Sequence, residues 1–178
     1  MKNNKLKRKI CIFLYYKFAQ YLPVSYYPYG GKIAKRIRYA LCKNIFEHCG
    51  KNVNIEKRAS FGSGEHIRIG DNSGLGVRCV IPDGSVIGND VMMGPDCFVY
   101  SRNHAFDRVD IPMREQGFTP IKTLVIEDDV WIGGGVTIMV GRHISKGSIV
   151  AARCVLTKDF PEYSVIGGNP SRLIRSRK

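Results

Sequence analysis

Four side chains in this sequence can exchange a proton near neutral pH: His48, His66, His104 and His143. His104 has the setting that suggests chemistry, because Asn103-His104-Ala105-Phe106 opens a stretch where a strict six-residue pattern breaks off. An imidazole there can take the proton of an attacking hydroxyl and return it to a leaving group. Gly133, Gly134 and Gly135 form a second candidate, since a run without side chains lets a backbone N–H approach a developing oxyanion. Metal chemistry is not expected. The histidines lack the paired spacing of a three-histidine zinc site, and the six cysteines, at 11, 42, 49, 79, 97 and 154, form no Cys-x-x-Cys pair. Cys79, Cys97 and Cys154 fall where the repeat calls for small buried side chains, so a thiol-borne intermediate is not expected either.

The repeat itself tells what must position these groups. Apolar side chains recur every sixth residue at Ile69, Leu75, Ile81, Ile87, Met93 and Val99, and again at Ile126, Ile132, Ile138, Ile144, Val150 and Leu156. Helices repeat near 3.6 residues and half-buried strands every 2, so a period of six demands short strands separated by turns, wound into a coil. Four places after each leader stands a second, smaller set (Ser73, Cys79, Ser85, Val91, Cys97, Val130, Val136, Ser148, Cys154), expected to share one narrow interior. Glycine often follows the leader, as at Gly70, Gly76, Gly88, Gly94 and Gly133, which suggests a turn needing a permissive backbone. The second series starts 57 residues after the first, nine sixes with three left over. The remainder marks an inserted loop over 103–123, and a loop of that length without regular structure is more often functional than decorative.

Composition bounds the rest. A chain of 178 residues with 44% apolar content can build one ordinary domain with a full core. Its net charge of +13 is concentrated: residues 1–43 hold 11 Lys and Arg and no Asp or Glu. Within this arm Leu6, Ile10, Phe13, Leu14 and Phe18 recur at helical spacing, as do Ile33, Ile37, Ala40, Leu41 and Ile45. Two amphipathic helices are expected, joined by a connector broken by Pro23, Pro28, Gly30 and Gly31. Their apolar faces are expected to cap the open first coil, leaving the basic faces for contact with an anionic membrane. The run Ile10–Tyr16 is too short to span a bilayer and is followed by no signal-peptide cleavage site, so the chain reads as cytoplasmic, with the inner face of the membrane as an alternative placement. No nucleic-acid-binding motif accompanies the charge.

Three segments carry a resemblance to a known family: Ile126-Glu-Asp-Asp-Val-Trp-Ile-Gly-Gly-Gly, Thr157-Lys-Asp, and Ile166-Gly-Gly-Asn-Pro-Ser-Arg-Leu-Ile-Arg. With the six-residue period, they resemble the hexapeptide-repeat acyltransferases. Asn103-His-Ala-Phe, Ile111-Pro-Met and Gln116-Gly-Phe are most similar to the branch that O-acetylates sugars of bacterial surface polysaccharides. The resemblance implies a mainly β fold, a left-handed parallel β-helix, with a helical arm over 1–50, a coil domain over 51–178 and a tail over 161–178. It implies acetyl-CoA as co-substrate, a saccharide acceptor and a homotrimer with its active site between neighbouring coils. His104 is then the general base and Trp131 a wall of the acyl cleft. The amides of Gly134 and Ala152 meet the thioester and the pantetheine arm, and Thr157, Lys158, Arg172 and Arg175 lie along the coenzyme. Asn103, Asp107, Arg114 and Gln116 are expected to bond the acceptor, with Phe106 and Phe118 stacking on it. Serine or an antibiotic remains an alternative acceptor. A γ-type carbonic anhydrase and a non-catalytic coil are the other readings of the fold. One departure stands out: Val140-Gly141 replaces the usual Pro-Gly, and Arg142 follows at a position that should point inward.

Overall fold

The computed structural model describes residues 2–178, with side chains from Lys5 onward. Two helices, α1 (Lys2–Lys17) and α2 (Gly31–Ile45), precede a parallel β-coil of triangular section. The coil begins at His48, slightly before the boundary expected at 51. Face one stacks β1 (His48–Cys49), β3 (Arg68–Ile69), β5 (Val86–Ile87), β8 (Val125–Ile126) and β11 (His143–Ile144). Face two runs through β2 (Asn54–Ile55), β4 (Gly74–Leu75), β6 (Met92–Met93), β9 (Trp131–Ile132), β12 (Ile149–Val150) and β14 (Ser164–Gly167). Face three holds the bridges at Ser60 and Val80, then β7 (Phe98–Val99), β10 (Thr137–Ile138) and β13 (Val155–Leu156). The last strand, β15 (Arg172–Ser176), runs antiparallel to β14 and ends face two.

Every leader of the six-residue pattern is buried, and so is every member of the small set four places on. The pairing carries the pattern through the insertion without a slip: Ile87 registers with Ile126, and Val99 with Ile138. Arg142 does not point inward. Its guanidinium bonds the carbonyls of Val140 (3.2 Å) and Thr157 (3.1 Å) and lies 3.5 Å from Asp159, and Ile144 resumes the buried column. A charge in the lumen is avoided by swinging the side chain to partners at the rim.

The turn glycines have a different reason from the one expected. Gly76, Gly94 and Gly133 do not adopt positive φ; that conformation falls two residues further on, at Arg78, Asp96 and Gly135. The constraint on the glycines is space. A Cβ on Gly76 would stand 2.0 Å from the Gly94 carbonyl oxygen, one coil away.

The arm also differs from expectation. Leu6, Ile10, Phe13 and Phe18 are at least half exposed, and Ile33 and Ile37 are exposed as well. Ile45 is buried as expected, with Leu41 partly so, but the rest of the capping face is Cys11, Tyr15 and Ala19 on α1 and Ala34, Arg38 and Cys42 on α2. Tyr15 packs against Phe61 at 4.6 Å between centroids and donates its hydroxyl to the Ala59 carbonyl (2.7 Å). Arg38 is fully buried, donates to the carbonyls of Ile55, Leu22 and Pro23, and lies 3.5 Å from the Glu56 carboxylate. Backbone carbonyls and one acid thus hold a cation at the seam between arm and coil: Nε and Nη1 are hydrogen-bonded, and Nη2, which has no hydrogen bond, is offset by the Glu56 charge.

Glu56 reports on this seam. Burial alone would raise its pKa, but hydrogen bonds from Ser25 and Asn54 and the charge of Arg38 outweigh it, and the net shift is downward. A carboxyl depressed in the folded state stabilises the fold above its unfolded pKa of about 4.3 and loses that contribution as pH falls through the lower folded value. Glu56→Ala should therefore reduce stability by about 3 kcal/mol at pH 7, and by progressively less on acidification, as measured by urea unfolding at a series of pH values. A pH-independent deficit would show that the carboxylate is not the group responsible.

Candidate active site

The three corners of the coil treat their backbone differently. At the corner between faces one and two, the second turn residue is repeatedly Asp or Asn, and each side chain covers the amide of the preceding coil. Lys51 N–H donates to Asp71 Oδ1 (2.7 Å), Asp71 N–H to Asn89 Oδ1 (2.8 Å) and Asn89 N–H to Asp128 Oδ1 (2.6 Å). At the corner between faces two and three the same turn position holds Val77, Pro95, Gly134 and Ala152, which offer no such acceptor. Pro95 has no N–H to satisfy. Among the described residues, nothing accepts from the N–H of Gly134 or of Ala152, although both flanking amides at each turn are bonded. Gly133 is confined by the backbone, since a Cβ there would lie 2.5 Å from Ala152 N; one on Gly134 would meet only the Pro95 ring at 3.3 Å. Two unpaired donors thus stand one coil apart on a rigid edge, the arrangement that receives an oxyanion or an amide-bearing ligand.

Trp131 stands beside this corner on face two, half exposed, paired with Met92 and Ile149 on neighbouring strands. Arg172 and Arg175 lie on β15 at the far end of the same face, opposite Gly167 and Val165. Neither they nor Lys158 forms an ion pair with a described residue. Arg153, which sequence reasoning passed over, is a further exposed cation of this corner, held at φ 63° directly after Ala152. Thr157 and Lys158 belong to the third corner instead. Thr157 ties the tail to the coil, its N–H and hydroxyl each 3.0 Å from the buried Ser171 hydroxyl, and the Lys158 ammonium lies 5.4 Å from the Phe160 ring centre.

His104 also rises from the third corner, on the insertion between β7 and β8. The loop is ordered by its own backbone: Thr119 N–H donates to Asn103 O (2.8 Å), Ala105 N–H to Gly117 O (3.1 Å), and His104 bridges antiparallel to Phe118. The imidazole is exposed and stacks on Phe118 with ring centres 4.3 Å apart; Arg102 covers the same phenyl ring at 4.0 Å. Phe118 thereby covers one side of the imidazole, the rings tilted by 35°, and no described residue hydrogen-bonds its nitrogens. Gln116 has an internal task. Its amide accepts from Arg108 N–H and donates to the Arg108 and Ile111 carbonyls, so little remains for an acceptor. Arg114 is exposed beside Glu115 at 3.2 Å, and Asp107 and Phe106 are exposed.

Of the thiols, Cys79, Cys97 and Cys154 are sealed in the lumen, and burial pushes the Cys154 thiol up. They cannot meet a substrate. A cavity of about 460 Å³ opens on face two between the arm and the early coils, lined by Ser25, Tyr26, Asn52, Asn54, Asn72 and Met92 among others. No sequence motif points to it, because its walls come from segments as far apart in the chain as Ser25 and Pro95.

The chain is 31% identical over 140 residues to the galactoside O-acetyltransferase of Escherichia coli (strain K12), covering 78% of this chain and 68% of that one. It is 31% identical over 139 residues to the galactoside O-acetyltransferase of Lactococcus lactis, covering 76% and 65%. It belongs to the hexapeptide-repeat acetyltransferases. The chain spans about two thirds of the length of these relatives. No family model matches it. Its fold superposes on the hexapeptide-repeat acetyltransferase VCA0836 of Vibrio cholerae with a TM-score of 0.79 and 33% identity, over 99% of this chain and 93% of that one. A structure of VCA0836 complexed with acetyl coenzyme A matches with a TM-score of 0.77 and 32% identity, over 98% and 88%. The left-handed parallel β-helix that the family resemblance implies is thus the fold of this chain.

Pro95 supplies a test of the open amides, because it shows that this turn position tolerates proline. Ala152→Pro should delete one unpaired N–H without removing an internal hydrogen bond. Its melting temperature should stay within a few degrees of the parent, while coenzyme A binding weakens about fivefold, the equivalent of one hydrogen bond. Calorimetric titration showing unchanged affinity would remove Ala152 from the ligand path.

Proposed function

We propose that the protein transfers an acetyl group from acetyl-CoA to a hydroxyl of a saccharide, in the making of a bacterial surface polysaccharide, with His104 as general base. Family membership makes acetyl-CoA the donor, and matches to galactoside O-acetyltransferases support a sugar acceptor over serine or an antibiotic. The observation that carries the mechanism is the pairing of an exposed imidazole, packed against Phe118 and hydrogen-bonded to no described residue, with two unpaired amides on a rigid corner.

The chemistry follows from what each group can do. A sugar hydroxyl is a weak nucleophile at neutral pH, and His104 removes its proton as the oxygen attacks the thioester carbonyl. The Gly134 N–H donates to the oxyanion of the tetrahedral intermediate, and the Ala152 N–H to the pantetheine arm one coil on. As the intermediate collapses, the C–S bond breaks and the imidazolium returns its proton to the departing thiolate. Transfer is direct, since no thiol reaches the surface of this site. Trp131 walls the acyl cleft, and Lys158, Arg172, Arg175 and Arg153 are cations free to meet the coenzyme phosphates. Asn103 and Asp107 on the loop, and the asparagine-lined cavity on face two, offer donors and acceptors of the kind sugar hydroxyls need.

Geometry also favours a shared site. His104 and the open amides stand at different corners, separated by one side of the triangle. That side is a run of six near-extended residues, up to about 20 Å, so a thioester at Gly134 and the root of the His104 loop lie at opposite ends of it on one chain. A homotrimer with clefts between neighbouring coils brings the third corner of one subunit to the second corner of the next.

His104→Ala should lower kcat at least about a hundredfold while leaving the circular dichroism spectrum unchanged. Gly134→Pro should cause a loss of similar size through the missing oxyanion donor, about 10²–10³-fold. Coexpression of these two variants then tests the shared site. In random trimers about a quarter of the clefts combine an intact His104 with an intact Gly134 amide, so activity should recover to about that fraction. Mixed trimers without recovery would place both groups on one chain. Retained turnover in His104→Ala would remove the base.

A further inference from the structure

The side of α1 that points away from the coil is apolar. The contacts of Cys11, Tyr15 and Ala19 define the inward direction, and at about 100° per residue Phe13, Leu6, Ile10 and Leu14 fill a sector roughly 100° wide on the opposite side. Lys9 borders this stripe on one flank and Lys7 on the other, both exposed, and Lys17 lies within it at the C-terminal end. Phe18, Ile33 and Ile37 extend the exposed apolar surface at the helix end and onto α2, which carries Lys32, Arg36 and Lys43 on its own exposed side. The capping function of the arm is served entirely by its other faces, so the coil makes no use of this stripe.

We propose that α1 lies flat on an anionic lipid bilayer, with Leu6, Ile10, Phe13 and Leu14 entering the boundary between headgroups and acyl chains and the lysines meeting acidic headgroups. The observation that selects this occupant is charge. Residues 1–43 carry 11 cations and no anion, so a second copy packed arm to arm in a symmetric pair would oppose cations with cations and find no acid in the facing arm. An anionic surface is complementary to that distribution, and a helix with an apolar stripe between basic flanks is the geometry that rests in an interface. No described helix is long and apolar enough to cross a membrane, so the contact is peripheral. The expected role of the two faces is thereby revised: the apolar side of α1 meets the bilayer, and the capping side is a narrower, mixed one.

The proposal is independent of the acetyl acceptor and is tested with the full chain. The protein should cosediment with vesicles of phosphatidylglycerol and phosphatidylcholine, much less with phosphatidylcholine alone, and less as salt is raised. Phe13→Ser combined with Leu14→Ser should reduce vesicle binding at least about tenfold. Because both side chains face solvent, melting temperature and acetyl transfer to a soluble acceptor should stay unchanged, which separates this test from that of the catalytic reading. Equal binding to neutral vesicles, or binding unaffected by the double substitution, would overturn the proposal. A concentration-dependent increase in oligomer size abolished by the same substitutions would assign the stripe to a second copy instead.

Discussion

The spacing between successive coils is the constraint on which this structure rests. Neighbouring strands stand about 4.8 Å apart, and at the corners the backbone of one coil approaches the next so closely that Gly76, Gly94 and Gly133 have no room for a Cβ. Those glycines let the ladder continue around the bend, and the ladder holds one register from β5 to β8 across an insertion of more than 20 residues. The insertion can be long because it leaves and rejoins at a corner, where no strand pairing is broken. The scaffold therefore tolerates the loop that carries His104 while holding the corner amides rigid.

Corners differ in function because their second turn residues differ in chemistry. Asp71, Asn89 and Asp128 close their corner by accepting from the amides of the preceding coil, which leaves nothing for a ligand. Val77, Pro95, Gly134 and Ala152 leave theirs open. An unpaired amide is tolerable at an exposed turn because water satisfies it, and it becomes a binding group when a ligand displaces that water. Two donors held by stacked coils need no reorganisation when charge develops, which is why a backbone site on a rigid edge suits acyl transfer.

The coil was legible in the sequence almost residue by residue, because burial in a narrow lumen leaves a strict period and each leader has only one direction to point. The open amides were legible in part: the glycine run was visible, but its meaning depends on the contrast between Gly134 and Asp71 at equivalent turns of different corners. The arm was misread for a physical reason. Periodicity identifies an apolar face without saying what it meets, and the strongest apolar face of α1 turned outward while Tyr15, with its hydroxyl bonded to Ala59, turned in. Arg38 was invisible as a core residue, since a charge is buried only when carbonyls and an acid from distant segments converge on it, and no local pattern announces that. The cavity on face two and the spending of the Gln116 amide within its loop were hidden for the same reason.

The arm and the coil have divided the two uses of apolar surface. Within the coil, apolar side chains face a lumen too narrow for anything else, and stability follows from the repetition. In the arm, a cap is made from Tyr15, Ile45, small residues and the Arg38–Glu56 contact, and the ion pair is a costly element if capping were the only demand, because an apolar side chain would cover the same coil end with no charge to satisfy. The larger apolar side chains are placed outside, flanked by lysines. That inversion makes sense only if the outer face has its own partner, and it argues that the polar seam beneath serves to hold α1 in one orientation, with its apolar stripe presented away from the catalytic coil.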